Sequence, residues 1–290
     1  MKRIMLLTLV LCLLFTSALG DALPVYKPDV LGKVVATYNT DSLKYRMVEF
    51  ELQGGICYLT SVWMTDPSRQ IRKATAAWQE NLEYPSDLAR KIPGAALAIN
   101  GSGYVSPVFP WIPENYPGVS KDYHYTPLGS LTITDGAIFR TLEGVPYFGL
   151  TLQADGLHLH VGEDNEAVLA QQPSQTWSFY VQCPLIQDGK DILDRSWSFA
   201  NRKAMRTIIA KKDRNNYVLL TVTNKKGTGL KVTTCVDFLM EVIQPEWAYN
   251  LDGGPSSALL YRKENWRTLK PMFGNTSKDA DAMIFVELDD

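Results

Sequence analysis

Three of the four Asp-Gly pairs, Asp135-Gly136, Asp155-Gly156 and Asp188-Gly189, constrain this chain more than any other feature of it. A tight hairpin turn needs positive φ, which glycine adopts without a steric penalty and aspartate tolerates. The first pair lies between Leu131–Ile133 and Ile138, the second between Leu150–Leu152 and Leu157–Leu159, and the third follows an apolar run ending at Ile186. A chain that doubles back this often builds antiparallel sheets, and the three aspartates are assigned to turn formation rather than to chemistry.

The remaining pattern agrees with that class. Val48, Phe50 and Leu52 alternate with Glu49 and Glu51, which predicts a half-buried strand over Tyr45–Leu52; Gly54-Gly55 then turns the chain into a second strand, Ile56–Met64. Asp66-Pro67 predicts a helix start running towards Trp78, and Ser86 caps a short helix that carries Leu88 and Ile92. Further strands are expected at Ala95–Ile99, Met205–Ala210, Tyr217–Thr223, Trp247–Leu251, Ala258–Tyr261 and Met283–Leu288, with irregular chain over Tyr116–Thr126. A helix starts at Thr234, carries Val236, Leu239, Met240 and Ile243, has Asp237 in a capping position and closes at Pro245. Hairpins outnumber strand-helix-strand units, so the expected fold is α+β, a mixed and mostly antiparallel β-sheet with packed helices in a single domain.

Lys2 and Arg3, the apolar run Ile4–Phe15 and the small residues at Ala18 and Gly20 form a secretory signal pattern over residues 1–20. Residues 21–43 read as a leader or linker and 44–290 as the domain. The apolar run is shorter than the roughly 20 residues of a spanning helix, so no stable membrane insertion is expected, and the localisation is secreted or extracytoplasmic. The 29 basic and 31 acidic residues nearly cancel, leaving no overall field to gather nucleic acid. Cys57, Cys183 and Cys235 sit in apolar runs without metal spacing and allow at most one disulfide of unspecified pairing. His158 and His160 alternate on one strand and could face a metal, but the third histidine, His124, is far away in sequence; surface histidines of a hairpin are the favoured account, and no metal or cofactor is assigned. No Walker loop, dinucleotide fingerprint or serine-hydrolase elbow is present. Asn100-Gly101-Ser102 and Asn275-Thr276-Ser277 fit the glycosylation sequon.

The chemistry concentrates at Asn250-Leu251-Asp252-Gly253-Gly254-Pro255-Ser256-Ser257. A carboxylate, an amide, two hydroxyls and two glycines follow an apolar strand, where the backbone can approach a ligand and present N–H groups to it. On local features alone a plain Asp-Gly turn explains the string equally well.

The string NLDGGPSSALLY over 250–261 resembles the NLDGGGSS signature of the phosphodiester glycosidase family. ALAINGSGY (Ala96–Tyr104), CPLIQDGK (Cys183–Lys190) and Met205-Arg206-Thr207-Ile208 resemble further segments of that family in the same order, so the likeness runs from about Tyr58 to Tyr261. It implies hydrolysis of the bond between a sugar's anomeric carbon and a phosphate oxygen, on sugar-1-phosphodiesters of an exopolysaccharide or envelope glycan. It also implies catalytic roles for Asp252, as acid/base or in recognition of a sugar hydroxyl, and for Arg206, as phosphate clamp. Asn100, Gly101, Tyr104, Thr207, Asn250, Gly253, Gly254, Ser256 and Ser257 would bind substrate, with the three segments around Asn100, Arg206 and Asp252 meeting in one pocket. Pro255 stands where the family usually has glycine, and Ser102-Gly103 where many members place an acidic and an aromatic residue. Those departures keep a second reading open, a non-catalytic carbohydrate-binding or envelope-structural protein with the same fold.

Overall fold

The computed structural model describes residues 23–77, 80–105, 125–179 and 181–288. The signal pattern at 1–20, the irregular stretch up to 124, His124, Trp78 and Trp111 lie outside them. Each of these three Asp-Gly pairs sits at a hairpin. Asp135 and Gly136 take φ of 49° and 76°, and Asp188 and Gly189 take 51° and 70°. They join Leu131–Thr134 to Ala137–Thr141 and Pro184–Gln187 to Lys190–Asp191. At Asp155-Gly156 the turn falls one residue earlier, and Gly156 already opens the strand Gly156–Glu163 against Tyr147–Gln153.

These hairpins assemble into sheets in which every strand pair among the described residues is antiparallel. An eight-stranded sheet runs in the order Lys33–Asn39, Leu43–Leu52, Gly55–Met64, Asn216–Val222, Arg206–Lys211, Trp247–Asn250, Pro184–Gln187, Lys190–Asp191. A five-stranded sheet has the order Lys270–Phe273, Leu259–Tyr261, Ala95–Asn100, Asp281–Val286, Ile71–Thr75, and Gly156–Glu163, Tyr147–Gln153 and Gln175–Ser178 form a smaller one.

Alternation of side chains assigns each sheet two buried faces. Tyr45, Met47, Tyr58, Ile209 and Tyr249 of the large sheet share one core with Leu97, Ile99, Met283 and Phe285 of the five-stranded sheet. Ile208, Ala210, Val218 and Leu220, on the opposite face of the large sheet, pack against Val232, Cys235 and Val236 of the helix Val232–Phe238. The outer face of the five-stranded sheet packs Ala98, Leu260 and Ile284 against Leu88 and Ala89 of the helix Pro85–Arg90. Layers therefore follow as helix, sheet, sheet, helix. Full burial of an aliphatic or aromatic side chain stabilises by about 1.5–3 kcal/mol, so the sandwich core outweighs the short helices.

Several expectations need correction. Residues 33–39, read as linker, form the edge strand of the large sheet. The helix after Asp66-Pro67 stops at Gln70, because Ile71–Thr75 pairs with Asp281–Val286 and the Gln70 amide donates to the carbonyls of Ser42 and Val286. The helix expected from Thr234 begins at Val232, and Asp237 pairs with Arg195 instead of capping it. The last strand begins at Asp281, two residues early. Cys57, Cys183 and Cys235 are buried and form no disulfide. Of the sequon asparagines, Asn100 is wholly buried, while Asn275 is half-buried with its amide bonded to Ser86. Among the described residues no helix is long and apolar enough to cross a membrane.

Candidate active site

Two strands from different sheets, Ala95–Asn100 and Trp247–Asn250, end side by side, and the asparagine of the first fixes the loop after the second. The Asn100 Nδ2 donates to the carbonyl of Asp252 at 2.8 Å, while its Oδ1 accepts the Thr207 hydroxyl at 2.7 Å and the Ala258 amide at 3.0 Å. The Asp252 amide donates to the Gly101 carbonyl at 3.1 Å and the Leu251 amide to that of Thr207 at 2.9 Å. Both ends of the loop are thus pinned. Gly101 is required by close approach, since a Cβ there would lie 1.7 Å from the Asp281 Oδ1.

Asp252 is half-buried at the mouth of this junction. The residue keeps some open surface, yet burial of its carboxyl is the largest influence on it and pushes its pKa up to about 7. The Gly253 amide and the Ser256 hydroxyl pull the value down, and the charge of Asp281 pushes it further up. The Gly253 N–H donates to the Asp252 Oδ1 at 2.7 Å. Tyr104 faces the same point. Its hydroxyl donates to the Lys278 carbonyl at 2.8 Å, and its pKa is raised first by burial and then by the charges of Asp279 and Asp252, against hydrogen bonds from Ser256 and Ser277.

Asp279 and Asp281, which sequence reasoning missed, close the site from the start of the last strand. Asp281 accepts the Ser102 amide at 2.7 Å and lies 3.3 Å from the Lys73 ammonium, both side chains being nearly inaccessible. Asp279 is buried, and its carboxyl is raised well above the usual range, by burial first and then by Asp252, with Ser256 opposing and Asp281 adding. The available signal was an acidic pair leading directly into the apolar run Met283–Val286.

Of the residues implied by resemblance, Asn100, Gly101, Tyr104, Thr207, Asp252, Gly253 and Ser256 come together. Asn100 and Thr207 are buried and committed to holding chain segments, so they brace the site and do not line it. The expected backbone cradle is occupied by the protein itself: the Gly253 amide serves Asp252 and the Gly254 amide the Met205 carbonyl. The Ser257 hydroxyl is buried without a partner. Arg206 and Asn250 do not join the carboxylates. Alternation turns Arg206 to the helix-covered face with Ile208, where its Nη2 donates to the carbonyls of Phe199 (3.0 Å) and Arg202 (2.6 Å) and its guanidinium stacks 4.1 Å from the Phe199 ring centre. Burial lowers its pKa to about 10. The Asn250 Nδ2 donates to the neighbouring Leu251 carbonyl. The expected single pocket uniting all three segments is therefore not formed.

The two described histidines each sit beside a carboxylate three residues away in the chain, His158 at 2.6 Å from Asp155 and His160 at 3.0 Å from Glu163. Among the described residues no three His, Cys, Asp or Glu side chains gather closely enough to hold a metal ion. A cavity of about 330 Å³ lies elsewhere, between Val34–Thr37 of the edge strand and Lys263, Glu264 and Asn265.

The model of the phosphodiester glycosidase family matches residues 94–286, a span that contains the Asn100 turn, the Arg206 strand, the Asp252 loop and the last strand. Comparison with curated proteins returns no match. Among solved structures, the fold is similar to the zebrafish N-acetylglucosamine-1-phosphodiester alpha-N-acetylglucosaminidase catalytic domain, auto-inhibited by its pro-peptide. That match has a TM-score of 0.60 and 15% identity over 89% of this chain and 87% of that one. A hypothetical protein from Synechocystis is similar at a TM-score of 0.55 and 16% identity, over 92% of this chain and 64% of that one. At such identities the likeness to these structures is one of fold.

Proposed function

Because the chain belongs to the phosphodiester glycosidase family, we propose that it hydrolyses the bond between the anomeric carbon of a sugar and a phosphate oxygen, with Asp252 as the acid/base residue. The signal pattern at residues 1–20 supports a substrate outside the cytoplasm, of the exopolysaccharide or envelope-glycan type. In this reaction the C1–O bond breaks, its electron pair leaves with the phosphate, and water adds to C1 of an oxocarbenium-like transition state while giving up a proton. Phosphate is already a good leaving group, so the demand falls on accepting the proton of water and on tolerating an anion.

The observation that carries the proposal is the Asp252 carboxyl. It stands at the mouth of a junction braced by Asn100 and Thr207, with a pKa pushed up to about 7. A group titrating near neutral pH is populated in both protonation states there, which suits it to take a proton and return it. Tyr104 and Ser256 add hydroxyls beside it.

Incubation of the mature protein with a panel of sugar-1-phosphodiesters tests this. Free sugar that appears with the wild type and not with Asp252→Asn is the expected result. A second reading, a carbohydrate-binding protein without turnover, is favoured by the occupied amides of Gly253 and Gly254 and by the burial of Arg206. Binding of the panel with no release of sugar would establish it in place of hydrolysis.

A further inference from the structure

The last strand and the segment just before it bring two carboxylates to the Asp252 loop, and the fold treats them differently. Asp281 is neutralised where it lies: the Ser102 amide donates to one oxygen and the Lys73 ammonium stands against the other, itself donating to the Thr176 carbonyl at 2.7 Å. Asp279 is 1% exposed, and neither of its oxygens meets a hydrogen-bond donor at good geometry. Its backbone is already satisfied by the bridge to Glu83, whose own carboxylate is turned to Lys91 at 2.6 Å, so the side chain has no capping duty that would explain it. The groups facing it are Asp252 from the loop, Tyr104 from the strand Tyr104–Val105, Asp281 at the start of the following strand and the Ser256 hydroxyl, which it shares with Asp252. None of these is a cation, and the nearby ammonium of Lys73 is engaged by Asp281. A buried carboxylate without donors is costly, and the fold avoids that cost when the carboxyl keeps its proton.

We propose that Asp279 is a positioning residue of the site, holding a proton beside Asp252 across the Ser256 hydroxyl so that the two carboxyls together carry one negative charge. Resting on the proposed hydrolysis of a phosphodiester, this has a direct use. Two ionised carboxylates would repel an anionic substrate, whereas a pair that shares one charge admits it and leaves one carboxylate able to accept a proton from water.

Asp279→Asn fixes the neutral form at the same shape and tests the pairing without any substrate. In protein labelled with carboxyl-¹³C aspartate, the NMR titration midpoint of Asp252 should stay in place in the variant, because the Asp279 carboxyl already holds its proton when Asp252 ionises and Asn is equally neutral. If turnover is found, the limb of the pH–rate profile set by Asp252 should likewise hold its position in Asp279→Asn. An Asp252 midpoint that falls by about one pH unit or more in Asp279→Asn would overturn the proposal, since it would show Asp279 ionised beside it. Asp252→Asn gives the reciprocal and decisive measurement, also available should Asp279→Asn fail to fold: the Asp279 midpoint must fall by about one pH unit once the Asp252 charge is gone, and an unchanged value would be equally fatal. Absence of sugar release defeats the proposed hydrolysis but leaves the NMR readout intact, so the two failures are distinguishable.

Discussion

Replacing Asp252 by Asn should stabilise the protein above neutral pH while abolishing its proposed activity. The carboxyl is raised from its ordinary 3.8 to about 7, so the folded state binds its proton more tightly than the unfolded chain does. Between those values the native protein carries the extra proton, and stability therefore falls as pH rises through the window, the loss being complete above about pH 7. At about 1.4 kcal/mol per pH unit the full shift corresponds to roughly 4 kcal/mol. Asp252 keeps some open surface, and solvent screening reduces the contribution to about 2 kcal/mol. Asparagine carries no charge to desolvate, and its Oδ1 can still accept the Gly253 amide. Thermal unfolding followed by circular dichroism should place the variant about 4–8 °C above the wild type at pH 8, at 2–4 °C per kcal/mol, with the difference closing near pH 4. Parallel stability profiles for the two proteins, or a variant less stable than the wild type at pH 8, would refute the argument, because neither is compatible with a strained carboxylate at this position.

Asn100→Ala removes three buried hydrogen bonds that hold Asp252, Thr207 and Ala258, and urea unfolding should show a loss of about 2–4 kcal/mol; a change below about 0.5 kcal/mol would deny the bracing role. Pro255→Gly loosens an exposed position in the turn Gly254–Ser256, so stability should drop by about 0.5–1 kcal/mol with sugar release unchanged, and a large gain in turnover would instead mean that the proline restricts the site. Lys73→Met strands the Asp281 carboxylate in the interior and should cost about 3–5 kcal/mol; the double variant Lys73→Met/Asp281→Asn should recover much of it in chemical denaturation, and failure to recover would assign the loss to packing.

What the chain revealed in advance was local. Turn chemistry at Asp135-Gly136 and Asp188-Gly189 acts within four residues, and the strict alternation over Val48–Leu52 needs no distant partner to be read. The edge strand Lys33–Asn39 was illegible because the register shifts between Val34 and Ala36, which breaks the alternation that would have marked it. The helix after Pro67 was overextended because its end is decided by a sheet partner more than 200 residues away in sequence, with Ile71 opposite Phe285. Asp279 and Asp281 escaped for a similar reason. Acids just before an apolar run look like loop residues, and only the sandwich shows that both are buried and that Lys73 belongs to one of them.

The adjacent residues Arg206 and Thr207 show why a likeness along the chain does not translate into one pocket. Neighbours on a strand face opposite ways, so the pair is divided between the two cores. Thr207 turns towards the five-stranded sheet and reaches Asp252 through Asn100. Arg206 turns away, and its partners are the carbonyls of Phe199 and Arg202. It nevertheless reaches the same loop from behind. A Cβ at Gly253 would sit 3.0 Å from the Met205 carbonyl and 3.9 Å from the Arg206 Cδ, so glycine is what lets the loop lie against this strand. With a pKa of about 10 the guanidinium stays charged at neutral pH, although no carboxylate among the described residues pairs with it. One strand thus supports the Asp252 loop twice, with a hydroxyl in front that sets the position of its backbone and a buried positive charge behind it.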